Sequence, residues 1–415
     1  MFHMLTKRKE HITHIINALI CLSFLSGVLL TSACKDDEEH LEPLPYQVLD
    51  SIISTNVISF DEAVQFGKDR YGLTDEQIEP YRRQINMASM RTRLYNAHVI
   101  TYHTTDPNGL PIVISGVVYY PKSGKPRGVV EAVSFNSNKQ ECPSRNLANA
   151  ELLTGMAGYI VLVSDLIGCG VSESKLFPYF YHNCIAKMLA DLRLAATELV
   201  RNEYGRSMPN WTLISGFSLS ASEAWALARY YHFHPELGVE PNQIWISSGP
   251  YYPLEILKYQ LNTQYTDNAY IPGAICSTNY YDNLGLDLQE IFRGQLKEHY
   301  EEWCMGDLTL LELCNRLGPD ITQYLNMDFF NEENNDYQRL LASIERFNIP
   351  NDWVPSCPVH VYHGTEDTFV PIFSSDKLVE YLRSVGAEVE YVVTDNGHIE
   401  NGIDMALDMA EYLYK

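Results

Sequence analysis

Short apolar runs alternate with helical stretches through much of this chain, and that alternation constrains the fold more than any other feature. Gly128–Phe135, Tyr159–Ser164, Trp211–Ser215 and Gln243–Ser248 are largely apolar, as expected of strands covered on both faces. Between them lie helical stretches at about Tyr181–Tyr204 and Ser220–His232. The pattern resumes with a strand at Val359–Tyr362, a helix at Ser375–Val385, a strand at Val389–Val393 and a final helix at Gly402–Tyr414. Strands spaced by helices require crossover connections, so the sheet they form is parallel and doubly wound. Ahead of it, Ala97–His103 and Pro111–Tyr120 are rich in β-branched and aromatic residues, and Asp106-Pro107-Asn108-Gly109 supplies a turn. These read as an antiparallel hairpin, giving an α/β fold with a mostly parallel sheet and an antiparallel N-terminal start.

One interval breaks the rhythm. Residues 250–351 hold 16 acidic residues against 6 basic ones and 10 of the 28 tyrosines. An insertion of that length inside an α/β sheet usually forms a lid. The core is therefore expected at 96–249 and 352–415, with a helical cap between. Ser59-Phe60-Asp61-Glu62 and Thr74-Asp75-Glu76-Gln77 fit a capping-box pattern, so residues 51–95 are expected to be a small helical region. Residues 34–50 are acidic and contain proline, as a tether would.

The first 33 residues read as a targeting segment. Lys7, Arg8 and Lys9 precede an apolar run from about Ile15 to Leu30 that is interrupted and short for a membrane span. It ends in Leu30-Thr31-Ser32-Ala33-Cys34, which resembles the lipobox of bacterial lipoproteins and implies acylation of Cys34. The run Lys35-Asp36-Asp37-Glu38-Glu39 behind it is similar to signals that send such proteins to the outer face of the outer membrane. Membrane contact is then expected through the N-terminal lipid anchor alone. A net charge of −23, from 53 acidic and 30 basic residues, excludes nucleic acid as a partner. Nine cysteines, widely spaced and without a C-x-x-C, do not form a disulfide framework or a zinc site, although one or two bridges fit an exported chain.

Three short segments carry the chemistry. Leu213-Ile214-Ser215-Gly216-Phe217-Ser218-Leu219-Ser220 runs from a strand through Gly-x-Ser-x-Ser into a helix. His363-Gly364-Thr365-Glu366-Asp367-Thr368-Phe369-Val370-Pro371 follows a later strand, and Asp395-Asn396-Gly397-His398 follows the last one. Together they resemble the α/β-hydrolase superfamily, in which a G-x-S-x-G elbow exposes a nucleophilic serine and an acid and a histidine follow in chain order. The resemblance implies Ser218 as nucleophile, Asp367 as triad acid and His398 as general base. It implies an oxyanion hole from the backbone N–H of Leu219 and of a residue in Ser134-Phe135-Asn136-Ser137-Asn138, for which Asn136 is the candidate. Two departures stand out: Ser220 replaces the second glycine, and the oxyanion loop has none.

The outline is closest to exported secretory-lipase-like and prolyl-peptidase-like serine hydrolases. Too few residues precede the hairpin for a propeller, which favours an esterase over a peptidase. The expected activity is cleavage of carboxylic esters, on neutral small-molecule or glycan esters such as acylated glycans or small lipids, with no metal and no cofactor. A peptidase of the prolyl type, or a surface binding lipoprotein that has lost turnover, are the alternatives. Asp165-Leu166-Ile167-Gly168-Cys169-Gly170-Val171-Ser172 lacks the third glycine of a dinucleotide fingerprint and reads as a structural loop. Cap tyrosines such as Tyr251, Tyr252, Tyr280 and Tyr281 read first as packing residues, and the acidic cap suggests a site roofed by carboxylates.

Overall fold

The computed structural model describes residues 41–79, 94–134, 138–139, 141–149, 152 and 155–415. The proposed signal segment, Cys34 and Asn136 lie outside these residues. Among them runs a nine-stranded sheet built in chain order from β1 (Leu49–Ser59), β2 (Leu94–Thr105), β3 (Pro111–Pro121), β4 (Val129–Val133), β5 (Ile160–Ser164), β6 (Thr212–Phe217), β7 (Gln243–Ser247), β8 (Val359–Gly364) and β9 (Val389–Thr394). The spatial order is β1-β2-β3-β5-β4-β6-β7-β8-β9. β1, β2, β3 and β5 pair antiparallel, and every pair from β5 to β9 is parallel.

The first strand corrects the sequence reading. Leu49–Ser59 was expected to divide between tether and helical region, yet it pairs with β2 from Leu49 opposite Tyr102 to Ser59 opposite Leu94. Ile52, Ile53, Thr55, Val57 and Ile58 give it β-branched character, but most of its side chains are exposed or half-buried at the sheet edge. The helical signals themselves hold. Ser59 ends β1 and caps α1 (Phe60–Tyr71) in a complete capping box with Glu62, and Thr74 and Gln77 exchange the same reciprocal hydrogen bonds.

Helices cover both faces. α2 (His182–Tyr204) and α3 (Leu219–Phe233) pack on one side of the sheet. From β7 the chain enters the cap through α4 (Pro253–Thr263), α5 (Ile271–Tyr281), α6 (Leu288–Ile291), α7 (Gly294–Cys304), α8 (Leu310–Leu317) and α9 (Asn335–Glu345). It returns by β8 to α10 (Phe373–Ser384), which joins the α2–α3 side, and ends in α11 (His398–Tyr414) on the opposite face with α1. Tyr251, Tyr252 and Tyr281 are buried in the packing, whereas Tyr280 is exposed. The Cys276 and Cys304 sulfurs lie 2.9 Å apart and join α5 to α7.

β4 to β8 are largely buried, whereas β9 at the sheet edge is half-exposed, and one buried residue of β4 is charged. Glu131, in the middle of β4, accepts hydrogen bonds from Arg193 of α2 at 3.1 Å and from the Tyr231 hydroxyl of α3 at 2.7 Å. A buried charge survives only with such partners, and here they stitch the two helices to the sheet. β5 and β6 flank β4 on opposite sides, so the chain reverses direction across the sheet there. Such a switch point opens a crevice at the C-terminal strand ends, where α/β proteins bind ligands.

Candidate active site

Ser218 stands at that crevice, between the last residue of β6 and the first of α3. Its backbone lies at φ 59° and ψ −131°, a strained conformation for a residue with a side chain. Gly216 makes the turn possible. A Cβ there would fall 2.1 Å from the Ser220 carbonyl oxygen, so position 216 admits glycine alone. The Ser220 departure is absorbed without moving that backbone: its side chain is buried, and its hydroxyl has no partner among the described residues. Leu219 occupies the first position of α3, so its N–H has no intrahelical acceptor and stays available beside Ser218.

The other two segments arrive from the neighbouring strand ends. Gly364, the last residue of β8, sits so close to the loop after β9 that a Cβ would lie 2.0 Å from the Asn396 carbonyl oxygen. That approach draws the Asp367 loop and His398, the first residue of α11, together. The Asp367 Oδ2 lies 2.7 Å from His398 Nδ1, and His398 Nε2 lies 2.9 Å from Ser218 Oγ. The structure thus joins Ser218, His398 and Asp367, picked from segments up to 180 residues apart, in one hydrogen-bonded chain. Because an ionised carboxylate only accepts, Nδ1 carries the proton and Nε2 is free to accept from the serine hydroxyl.

Asp367 is fully partnered. Its Oδ1 accepts from the backbone N–H of Phe369 and Val370, both at 2.9 Å. Its Oδ2 lies 3.3 Å from Nε2 of His363, a residue the sequence reading placed in the motif without a role. His363 is wholly buried; its Nε2 faces the Val370 carbonyl at 2.9 Å and its Nδ1 the Ser375 hydroxyl at 2.7 Å. Both groups around Nε2 are acceptors, so Nε2 donates. Burial alone would raise the Asp367 carboxyl, but hydrogen bonds from His363 and His398, with the His398 charge and the Val370 N–H, hold it well below the usual carboxylate range.

His398 is held as well as reached. Phe369 stacks on its ring at 5.1 Å between centroids, with Phe217 at 4.7 Å on a tilted approach. One turn further along α11, buried Asn401 donates to Ser247 Oγ at 2.9 Å and accepts from Thr394 Oγ1, which pins the helix start to the ends of β7 and β9. Neither Phe369 nor Asn401 was singled out from the sequence, and only the fold brings them to the histidine.

A pocket opens beside Ser218. Tyr179, Phe180, Leu219, Phe369 and Val370 form one part of its wall, and the cap adds Ile256, Asn268, Tyr270 and Leu310. Among the described residues no carboxylate lines it, so the acidic residues described in the cap do not form a roof over the serine as the sequence suggested. The Asp165 loop is structural: the buried Asp165 carboxylate accepts from the Ser115 hydroxyl and from the Ser144 N–H.

This arrangement of sheet, elbow serine and loop-borne histidine and acid is the α/β-hydrolase fold. Solved structures with the same architecture include the rice cell wall degrading esterase LipA from Xanthomonas oryzae, at 16% identity over 88% of this chain and 98% of that chain, with a TM-score of 0.71. A putative hydrolase from Legionella pneumophila matches at 17% identity over 88% of this chain and 97% of that one, also with a TM-score of 0.71. Candida antarctica lipase A is more distant, at 11% identity over 87% of this chain and 84% of that chain, with a TM-score of 0.58. No family model matches the sequence, and no curated protein matches it.

Proposed function

We propose that this chain is a serine hydrolase that cleaves carboxylic esters through an acyl-enzyme. The observation that carries the reading is the unbroken hydrogen-bonded chain from Asp367 through His398 to a serine held in a strained elbow. In the forward step Ser218 Oγ attacks the ester carbonyl carbon while His398 Nε2 takes its proton, and His398 then returns that proton to the departing alcohol oxygen. Asp367 keeps the imidazole in the tautomer that leaves Nε2 free and stabilises the imidazolium as it forms. The tetrahedral oxyanion is received by the Leu219 N–H and by an N–H from the loop after β4, for which Asn136 remains the candidate. A donor of this kind is worth roughly 10²–10³ in rate. Water repeats the sequence on the acyl-enzyme and frees the acid.

The uncharged pocket favours neutral substrates, in keeping with acylated glycans or small lipids as the substrate class. Structural neighbours that are an esterase and a lipase favour ester over peptide cleavage. The lipobox-like segment favours export and anchoring through Cys34, at the outer membrane and facing outward, with the membrane touched by the lipid alone. A fluorophosphonate probe tests the chemistry. Labelling of the folded protein that disappears in Ser218→Ala is the expected result. A folded parent that takes no label would leave a binding protein on a hydrolase fold.

A further inference from the structure

Asn268 lines the pocket beside Ser218, and its side-chain amide makes no hydrogen bond among the described residues. The residue follows α4 in the cap and is 7% exposed, and its Oδ1 is buried. The polar groups that hold Asn268 in place are themselves satisfied. The Thr266 hydroxyl accepts from the Asn268 N–H at 3.0 Å and from Gln260 Nε2 at 2.9 Å, and donates to the Asn268 carbonyl at 3.3 Å. Gln260 Oε1 accepts from the Tyr270 hydroxyl at 2.9 Å, and Gln260 Nε2 also reaches the Phe369 carbonyl at 3.5 Å. A hydroxyl has one donor and two acceptor sites, so Thr266 is saturated, and the backbone of Asn268 is fixed from both sides.

A buried acceptor without a partner destabilises the fold, and a native site that keeps one has a reason for it. From this geometry we propose that Asn268 determines specificity: its Oδ1 accepts a hydrogen bond from a hydroxyl carried on the acyl group of the substrate. The inference rests on the serine-hydrolase reading above. The acyl side follows from the placement of His398. It must reach the departing alcohol, and it is absent from the wall of this pocket, whereas Ser218 and Leu219 belong to it. A neutral hydroxyl fits an otherwise apolar pocket in which a charged donor would be desolvated without compensation. A pocket built to pair with a substrate hydroxyl rejects the analogue that lacks it, because the analogue leaves the protein acceptor buried and alone.

The test compares kcat/KM for p-nitrophenyl butyrate, 3-hydroxybutyrate and 3-methoxybutyrate on the wild-type protein and on Asn268→Leu. The pair hexanoate and 3-hydroxyhexanoate serves as a second length. In the wild type a hydroxylated ester is expected to exceed its unsubstituted partner by about ten- to a hundredfold. The methoxy ester, which keeps the oxygen and loses the donor, is expected to stay near butyrate, and Asn268→Leu to bring the hydroxyl preference close to one. Equal wild-type rates within each pair, a methoxy ester that matches the hydroxy ester, or a preference that survives in Asn268→Leu would each overturn the proposal. If the variant fails to fold, the wild-type ratios alone decide. Absence of any ester hydrolysis together with absence of fluorophosphonate labelling would instead overturn the serine-hydrolase reading.

Discussion

Two carboxylates near the site are equally deep and electrostatically opposite. The Asp367 side chain in the loop after β8 and Glu223 in the second turn of α3 are both at 0% exposure. Asp367 receives two backbone N–H groups and two imidazole nitrogens, and stays ionised far below the usual range. Neither oxygen of Glu223 has a partner among the described residues, and burial pushes its carboxyl well above the ordinary value. Glu131 stands between them, raised by burial and opposed by Arg193 and Tyr231. Depth alone therefore does not decide ionisation; donors do. A fold that runs acid–base chemistry has to supply those donors at one carboxylate and can omit them at another.

Removing the charge of the partnered group has the largest expected effect. Asp367→Asn preserves shape but presents an amide where His398 Nδ1–H needs an acceptor, which turns the imidazole to the tautomer with Nε2 protonated. A drop of about 10³–10⁴ in kcat for ester hydrolysis is expected, measured with p-nitrophenyl butyrate at saturating concentration. A tenfold loss or less would mean that Asp367 orients nothing and that its four donors serve the loop alone.

The donors themselves come next. His363→Phe fills the same space but removes the Nε2–H that faces Asp367 Oδ2 and the Val370 carbonyl. His363 touches no substrate and acts as a positioning residue, so kcat is expected to fall by about ten- to a hundredfold with KM little changed. Asp367 would also lose part of what holds its carboxyl down. A group with a depressed pKa stabilises the fold above its unfolded value and loses that contribution as pH falls through the folded one. The acid-unfolding midpoint of His363→Phe is therefore expected at higher pH than that of the parent, read by circular dichroism across an acid titration. A change in KM alone would assign His363 to the pocket rather than to Asp367.

Much of this contrast was legible in the sequence, and the part that was not has a physical reason. Strands buried on both faces leave continuous apolar runs, so β4 to β8 could be read directly, and β9 kept its β-branched residues at the edge; the order Ser218, Asp367, His398 survives because each residue follows the end of a strand. β1 escaped because an edge strand is only half covered and its polar positions imitate a linker. His363 was visible as a motif residue, but its Nε2 contact depends on how the Val370 loop closes around it. Asn268 and the carboxylate-free pocket wall depend on the way six cap helices settle over the sheet, which has no periodic signature. Glu223 was invisible for a similar reason: a lone glutamate in a helix reads as a solvent-facing residue until α3 is seen to be buried on nearly every side from Leu219 to Ala228.

The unpartnered carboxylate gives the smallest effect and the sharpest sign. In the folded protein burial pushes the Glu223 carboxyl well above the value near 4.5 at which it ionises in the unfolded chain. Folding thus takes up a proton. For a group whose folded pKa is raised, stability is complete below the unfolded value and declines as pH rises toward the folded one. Glu223→Gln keeps the size and removes the ionisation, so it should change little at pH 4 and raise the melting temperature progressively above pH 5, by about 2–5 °C near pH 8. Differential scanning fluorimetry of parent and variant across pH 4–8 measures this directly. Opposite behaviour, with Glu223→Gln less stable than the parent at pH 8, would show that the carboxylate is ionised and has a partner. The rule drawn from Asp367, that depth matters less than donors, would then apply to both groups in the same direction.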